Sequence, residues 1–176
     1  MIRLFDFIFS LIGLISLFPL LVFIFFIGLF DSGSPLFIQK RVGYNLKSFS
    51  LIKFRTMPTD ARSAGTHLIK DIQLSSFGYF LRKTKLDEIP QLLNVFLGDM
   101  SLVGPRPCLY NQRKLISERK KRGVFKVRPG ITGLAQISDI NMKTPTLLAK
   151  IDQKMIKNMS VYNYFYYIFK TIFKII

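Results

Sequence analysis

Two adjacent carboxylates, Asp87 and Glu88, lie in residues 81–107, LRKTKLDEIPQLLNVFLGDMSLVGPRP, behind three cations, Arg82, Lys83 and Lys85. A further acid, Asp99, precedes the stiff turn Gly104-Pro105-Arg106-Pro107. The apolar run Leu92, Leu93, Val95, Phe96 begins just after Pro90, and proline fits only the first turn of a helix because it has no N–H to donate. That spacing predicts Asp87 at the N-cap, with the free N–H groups of the first turn and the positive end of the helix dipole beside the acidic pair. A phosphate group would suit that place. The same spacing also describes any well-capped surface helix, and spacing alone favours this plainer reading.

The elements around the pair follow from composition. With 176 residues, 49% of them hydrophobic, the chain has room for one modest domain and a membrane element. One cysteine, Cys108, and one histidine, His67, are too few for a zinc site or a disulfide framework, so any metal would be hard and oxygen-bound. A net charge of +16 requires an anionic partner: nucleotide phosphates, acidic lipid headgroups or nucleic acid. Nucleic acid is set aside, because no interleaved aromatics, glycine-rich RNA motif or zinc-finger spacing accompanies the basic residues.

Residues 7–30 carry no charge and are long enough to cross a hydrocarbon core, for which about 20 helical residues suffice. Pro19 breaks or kinks that helix, leaving either a kinked spanning helix or two half-helices in a re-entrant hairpin. After Asp31, 25 basic residues face eight acidic ones, which places residues 32–176 on the cytoplasmic side. Two β-prone runs, 36–42 and 48–57, flank Gly43-Tyr44-Asn45-Leu46-Lys47 and predict a hairpin in which Asn45 supplies a positive φ. Lys53 and Arg55 share one face of its second strand, where alternating cations are usually solvated.

Residues 58–76 read as a polar loop with a short helix, and His67 there as an exposed histidine. The run Arg119-Lys120-Lys121-Arg122 reads as a solvated helix face, or as a contact to anionic lipid. Arg128 is held extended before Pro129, in a Pro-Gly and Thr-Gly loop. The tail from Val161 carries Asn163, Tyr167, Lys170 and Lys174 on one stripe among aromatics, an interfacial helix pattern. The fold expected is a small, mainly helical α+β domain with a β-hairpin. Residues 1–31 are expected to form a membrane helix broken at Pro19, and residues 32–176 a cytoplasmic domain ending in an interfacial helix.

Leu86-Asp87-Glu88-Ile89-Pro90-Gln91-Leu92, Asn94-Val95 and residues 98–107, GDMSLVGPRP, resemble the central signature of the monotopic phosphoglycosyltransferases, the bacterial sugar transferase family that loads a sugar phosphate onto a polyprenyl phosphate. Residues 39–43, 53–57 and 127–136 are similar to its other motifs. The resemblance implies a re-entrant N-terminal helix in the bacterial inner membrane and a cytoplasmic catalytic face. It implies Asp87 as a nucleophile on the sugar-bearing phosphate of a UDP-sugar, with Glu88 assisting and Mg²⁺ held by Asp87 or Glu88. Lys53, Arg55, Arg106 and Arg128 become substrate-binding candidates.

The chain departs from the family pattern at four places. Phe18 stands before Pro19 where a serine is usual, Leu46 stands near a usual glycine, Gln73 replaces the arginine of an Asp-x-Arg pair, and Asn163 or Tyr164 replaces an acid of the tail. Two rivals to the transferase stand beside it: a non-catalytic basic scaffold on anionic membranes, and a direct glycosyltransferase that releases UDP rather than UMP.

Overall fold

The computed structural model describes residues 1–58 and 74–175; His67, Asp71 and Gln73 lie outside them. The chain opens with two helices, α1 (Ile2–Ser16) and α2 (Phe18–Ser32), and then the antiparallel hairpin β1 (Leu36–Val42) and β2 (Ser48–Phe54). Helix α3 (Ser76–Thr84), a 3-10 turn (Leu86–Glu88) and α4 (Gln91–Leu97) lead to β3 (Ser101–Val103). There follow α5 (Arg113–Lys121), β4 (Gly130–Thr132), α6 (Leu134–Ile137), α7 (Pro145–Lys157) and α8 (Val161–Ile175). The fold is α+β and mainly helical.

Helices α1 and α2 meet at a 62° bend. The break falls at Leu17, two residues before the expected Pro19, because proline cannot donate back to the carbonyl of Ile15 and instead sits in the first turn of a new helix. Ser16 Oγ donates to the Ile12 carbonyl at 2.7 Å, a back-bond that favours bending. Neither helix alone is long and apolar enough to cross a membrane; together the bent pair has the length and composition of a broken span or a re-entrant loop. Phe18, Phe23, Phe26 and Phe30 are exposed on α2, which is apolar on all sides.

Helix α1 starts well before the uncharged run, and its first turns are tied to the rest of the chain. Arg3 donates to the carbonyls of Val95 (2.6 Å) and Phe96 (2.9 Å) in the last turn of α4, where the Val95 oxygen also accepts the Gly98 N–H. Asp6, only 2% exposed, accepts from Ser101 Oγ, from the Leu102 N–H and from the Tyr164 hydroxyl.

The hairpin runs in register from Leu36 opposite Phe54 to Val42 opposite Ser48. Strand β2 ends three residues before the expected Met57, because the neighbour it would need next to β1 is Pro35, which has no N–H to give the ladder. Asn45 takes the expected positive φ, at 50°, and Leu46 takes one as well, at 62°. Asn94 of α4 joins the hairpin to the helix by donating to the Ser50 carbonyl at 2.8 Å and accepting from the Ile52 N–H at 3.0 Å.

Strands β3 and β4 pair in parallel, with Ser101 opposite Gly130 and Val103 opposite Thr132. Beyond β3 the two chains touch backbone to backbone. A Cβ on Gly130 would stand 2.0 Å from the Gly104 nitrogen, and one on Gly104 would stand 2.5 Å from the Arg128 carbonyl, so neither position admits a side chain.

The basic run at the end of α5 is not all solvated. Arg119 is buried and pairs with buried Asp152 of α7 at 2.8 Å, while only its neighbours reach the surface. The polar stripe of α8 is likewise divided. Tyr167 is buried, and Lys174 turns back to Asp139 (2.6 Å) and the Ile137 carbonyl (3.1 Å). The outer face shows Tyr162, Tyr166, Phe169 and Phe173, while Thr171 shares a short hydrogen bond with Thr132 of β4.

Two predictions follow from this architecture. A leucine in the left-handed region is strained by roughly 1–2 kcal/mol, less the entropy a glycine would lose, so Leu46→Gly should raise stability by about 0.5–1 kcal/mol in a detergent unfolding series. Deletion of residues 1–16 removes the partners of Val95, Phe96, Ser101 and Leu102. It should therefore give aggregated or non-cooperative protein rather than a folded soluble domain, as calorimetry would reveal.

Candidate active site

The acidic pair stands on a 3-10 turn rather than at a helix cap. Lys85 ends α3 in the left-handed region at φ 59°, which turns the chain sharply into Leu86–Glu88. Helix α4 then begins at Gln91 with Pro90 as its N-cap, so Asp87 lies outside the helix and does not cap it. A cap needs a side-chain oxygen over the N–H of the second or third helical residue, and the intervening turn carries Asp87 out of reach. Asp87 is 5% exposed and accepts no hydrogen bond from the described residues.

Burial, and secondarily the neighbouring Glu88 charge, raise the Asp87 carboxyl to about 6, against the opposing pull of Lys53, Lys85 and Arg82. A carboxylate near neutrality, desolvated and without a partner, is a better nucleophile than a solvated one. Burial also presses Glu88 upwards, but the charge of Arg106 and the hydrogen bond it donates outweigh this and hold Glu88 below the ordinary range. The Arg106 Nη2 to Glu88 Oε1 distance is 2.7 Å, with the arginine side chain 48% exposed and the glutamate 15%. The Arg106 side chain is thus about half exposed while its guanidinium is tied to Glu88.

The other predicted residues divide. Lys53 on β2 is half-buried near Asp87 and lies 5.4 Å from the centroid of the Phe37 ring; burial lowers its pKa while the Asp87 charge raises it. Arg55 sits over the same ring, but its Nε donates to the Ser34 carbonyl (2.8 Å) and an Nη2 to the Leu36 carbonyl (3.3 Å), so it braces the entry to β1. Arg128 donates from Nε to the Gly98 carbonyl at 2.7 Å and stacks over Tyr44, which ties the β4 loop to the end of α4. Pro19 lies in the helix pair, away from the acidic turn in sequence and part of no bonded contact with it.

Two arginines join the site without having been singled out. Arg82 donates from Nε to Thr56 Oγ1 (2.8 Å), and burial lowers its pKa while the Asp87 charge raises it. Its Nη2 is buried and unpaired among the described residues. Arg41 donates to the Pro107 carbonyl (3.3 Å) and to Gln39 Oε1 (2.6 Å). Burial and the adjacent Arg106 charge lower Arg41 to about 10. The available signal was that Arg82 sits five residues before Asp87 and that Arg41 lies within residues 39–43.

The Arg106 turn is held from three sides. Gly104 N–H donates to the Thr132 carbonyl (2.8 Å), Gly130 N–H to the Pro105 carbonyl (2.9 Å), and Arg119 Nη1 to the Arg106 carbonyl (2.8 Å). The Val42 N–H donates to the Cys108 carbonyl at 3.0 Å, which fixes the turn's exit to the hairpin. Asp87 and Glu88 offer two hard oxygen ligands, and no group of three His, Cys, Asp or Glu suited to a metal occurs among the described residues. Such a pair fits Mg²⁺ of the kind that completes its shell with substrate phosphate and water.

A buried carboxylate with cations around it thus lies close to the apolar helix pair, where Leu86 packs with Leu20, Leu21 and Ile24. The model of the bacterial sugar transferase family matches residues 1–176, and the chain belongs to that family. It is 48% identical over 110 residues to the uncharacterized sugar transferase EpsL of Bacillus subtilis, covering 62% of this chain and 54% of that one. It is 35% identical to the exopolysaccharide production protein ExoY of Rhizobium meliloti, covering 97% of this chain and 83% of that one. It is 32% identical to the undecaprenyl-phosphate galactose phosphotransferase of Salmonella typhimurium, covering 96% of this chain and 39% of that one. The chain thus spans well under half of that longer relative.

The raised Asp87 carboxyl has a consequence for stability. Its folded value, about 6, lies above the unfolded value near 3.8, so the folded state holds the proton more tightly. Below the unfolded value the group contributes nothing; as pH rises from there through about 6 the fold loses stability, by roughly 3 kcal/mol in total. Asp87→Asn should therefore melt higher than wild type at pH 7.5, and the difference should shrink to almost nothing by about pH 3.

Proposed function

We propose that this protein transfers a sugar phosphate from a UDP-sugar to a polyprenyl phosphate, releasing UMP. The observation that carries the reading is the buried, unpartnered Asp87 among Lys53, Arg82, Lys85 and the Glu88–Arg106 pair. An Asp87 oxygen attacks the sugar-bearing phosphorus; the bond from that phosphorus to the bridging oxygen breaks, and UMP departs with the electron pair. The product is an acyl phosphate bearing the sugar. An oxygen of the polyprenyl phosphate then attacks the same phosphorus and expels the Asp87 carboxylate, giving the polyprenyl diphosphate sugar and the starting enzyme. No net proton is consumed.

Each neighbour has a part in the two displacements. Arg106, bonded to Glu88 through Nη2 alone, is suited to clamp a phosphate oxygen, with Glu88 holding the guanidinium in place. Lys53, Arg82 and Arg41 add positive charge where the transferred group gathers negative charge. Asp87 and Glu88 are the residues that would hold Mg²⁺, whose charge when bound neutralises the diphosphate. Arg55 and Arg128 act on the substrate indirectly, through the backbone they brace.

The reading sets the protein in the bacterial inner membrane with its site on the cytoplasmic face. The apolar outward faces of α2 and α8 and the excess of cations after Asp31 support this. Seating the site at the headgroup boundary brings it to the acceptor's phosphate. Anionic lipid headgroups are the further partner that the exposed cations fit.

Detergent-solubilised protein given Mg²⁺, undecaprenyl phosphate and a panel of UDP-sugars should release UMP with one donor or a few. Asp87→Asn should lower that release by at least about a thousandfold, the scale of losing a nucleophile. Release of UDP would indicate direct glycosyl transfer, and UMP release undiminished in Asp87→Asn would remove the covalent step.

A further inference from the structure

The first two turns of α1 make more specific contacts than an anchor requires. Asp6 Oδ1 receives three donors: Ser101 Oγ (2.9 Å), Leu102 N–H (2.9 Å) and the Tyr164 hydroxyl (2.8 Å). All three approach through an aromatic setting in which the Phe5 and Phe9 rings pack on Phe165 at 5.3 and 5.8 Å. A carboxylate buried among aromatics is costly unless fully bonded, whereas an apolar residue could join two helices without that cost. What the carboxylate adds is direction, because it fixes the rotation and height of α1 against the backbone of one particular strand.

That strand leads to the site. Leu102 lies in β3, and two residues after it the chain enters Gly104-Pro105-Arg106-Pro107. The same helix registers against the opposite wall. Arg3 closes the last turn of α4, and Phe7 stacks on Phe96 with centroids 5.0 Å apart. Helix α4 follows directly from the Asp87–Glu88 turn. One helix therefore sets the positions of the two segments that the Glu88–Arg106 bond joins, and its other faces present Leu4, Ile8, Leu11, Ile12 and Ile15 to the surroundings.

The resemblance to the family expects an acid in the tail where Asn163 or Tyr164 stands here. In this chain the tail supplies the donor and α1 supplies the acid.

We propose that Asp6, with Tyr164 as its partner, is a positioning residue for Arg106. The seating of α1 is passed through Asp6 to β3, and so determines where the guanidinium meets the substrate phosphate. This rests on the transferase reading for its kinetic consequence, although the structural coupling stands apart from it.

Tyr164→Phe tests the coupling with the smallest change, since it removes one hydroxyl and keeps the ring. In the full-length chain, hydrogen exchange should quicken at amides 101–107 while α7, which Asp6 does not touch, keeps wild-type exchange. With undecaprenyl phosphate and the donor identified from the panel, kcat should fall roughly tenfold, the scale of a small misplacement, with KM for the UDP-sugar within about twofold. In an Arg106→Lys background the same substitution should cost less than about threefold, because the misplaced group is already lost.

Asp6→Asn should show the same exchange pattern, and adding Tyr164→Phe to it should cost little more. Unchanged exchange at 101–107 in both variants overturns the proposal, as does a full tenfold loss persisting in Arg106→Lys. A wild-type protein that releases no UMP from any donor would sink the transferase reading, and the exchange pattern would still decide the coupling.

Discussion

The contact between Gly104 and Gly130 is the constraint on which the site depends. Two segments far apart in sequence approach until their backbones touch, and there is no room for even one methyl group. That closeness lets a two-rung parallel pairing survive without a larger sheet around it, since each segment lends the other the hydrogen bonds that would otherwise be orphaned. Arg106 is held on one side of the contact and Arg128 on the other. The backbone under Arg106 is thereby fixed, while the Arg128 side chain braces the end of α4 through the Gly98 carbonyl.

Around this frame the charges are deliberately unequal. Glu88 is satisfied by Arg106, whereas Asp87 is buried beside cations with which it shares no hydrogen bond among the described residues. The arrangement keeps one carboxylate stable and leaves the other raised towards neutrality. Such an imbalance lowers the stability of the fold and is the usual mark of a group kept for chemistry. Arg82 and Arg41 each carry a buried nitrogen lacking a partner among the described residues.

Helix α1 joins what the sequence divides. Its apolar surface belongs with α2, yet Arg3 and Asp6 bond it to α4, β3 and α8 as firmly as any internal element. Charges inside an apolar helix are expensive unless paired, and here both are paired across long stretches of chain. The exposed face of α8 carries aromatics, while its inner face carries Tyr164, Tyr167 and Thr171.

The sequence by itself determined the features that depend on near neighbours. Pro19 requires a break because it lacks an N–H, the apolar alternation with Asn45 between makes a hairpin, and the stretch around Asp87 marks the family. Local pattern also misled where a competing contact intervened. Asp87 is drawn out of its expected cap by the turn at Lys85, and Arg119 is drawn out of a solvated run by Asp152. Only the tertiary structure decided those outcomes, together with the Glu88–Arg106 bond and the Asp6 cluster. The reason is distance along the chain: Asp6 lies 95 residues from Ser101 and 158 from Tyr164, and no helical or strand period relates residues so far apart.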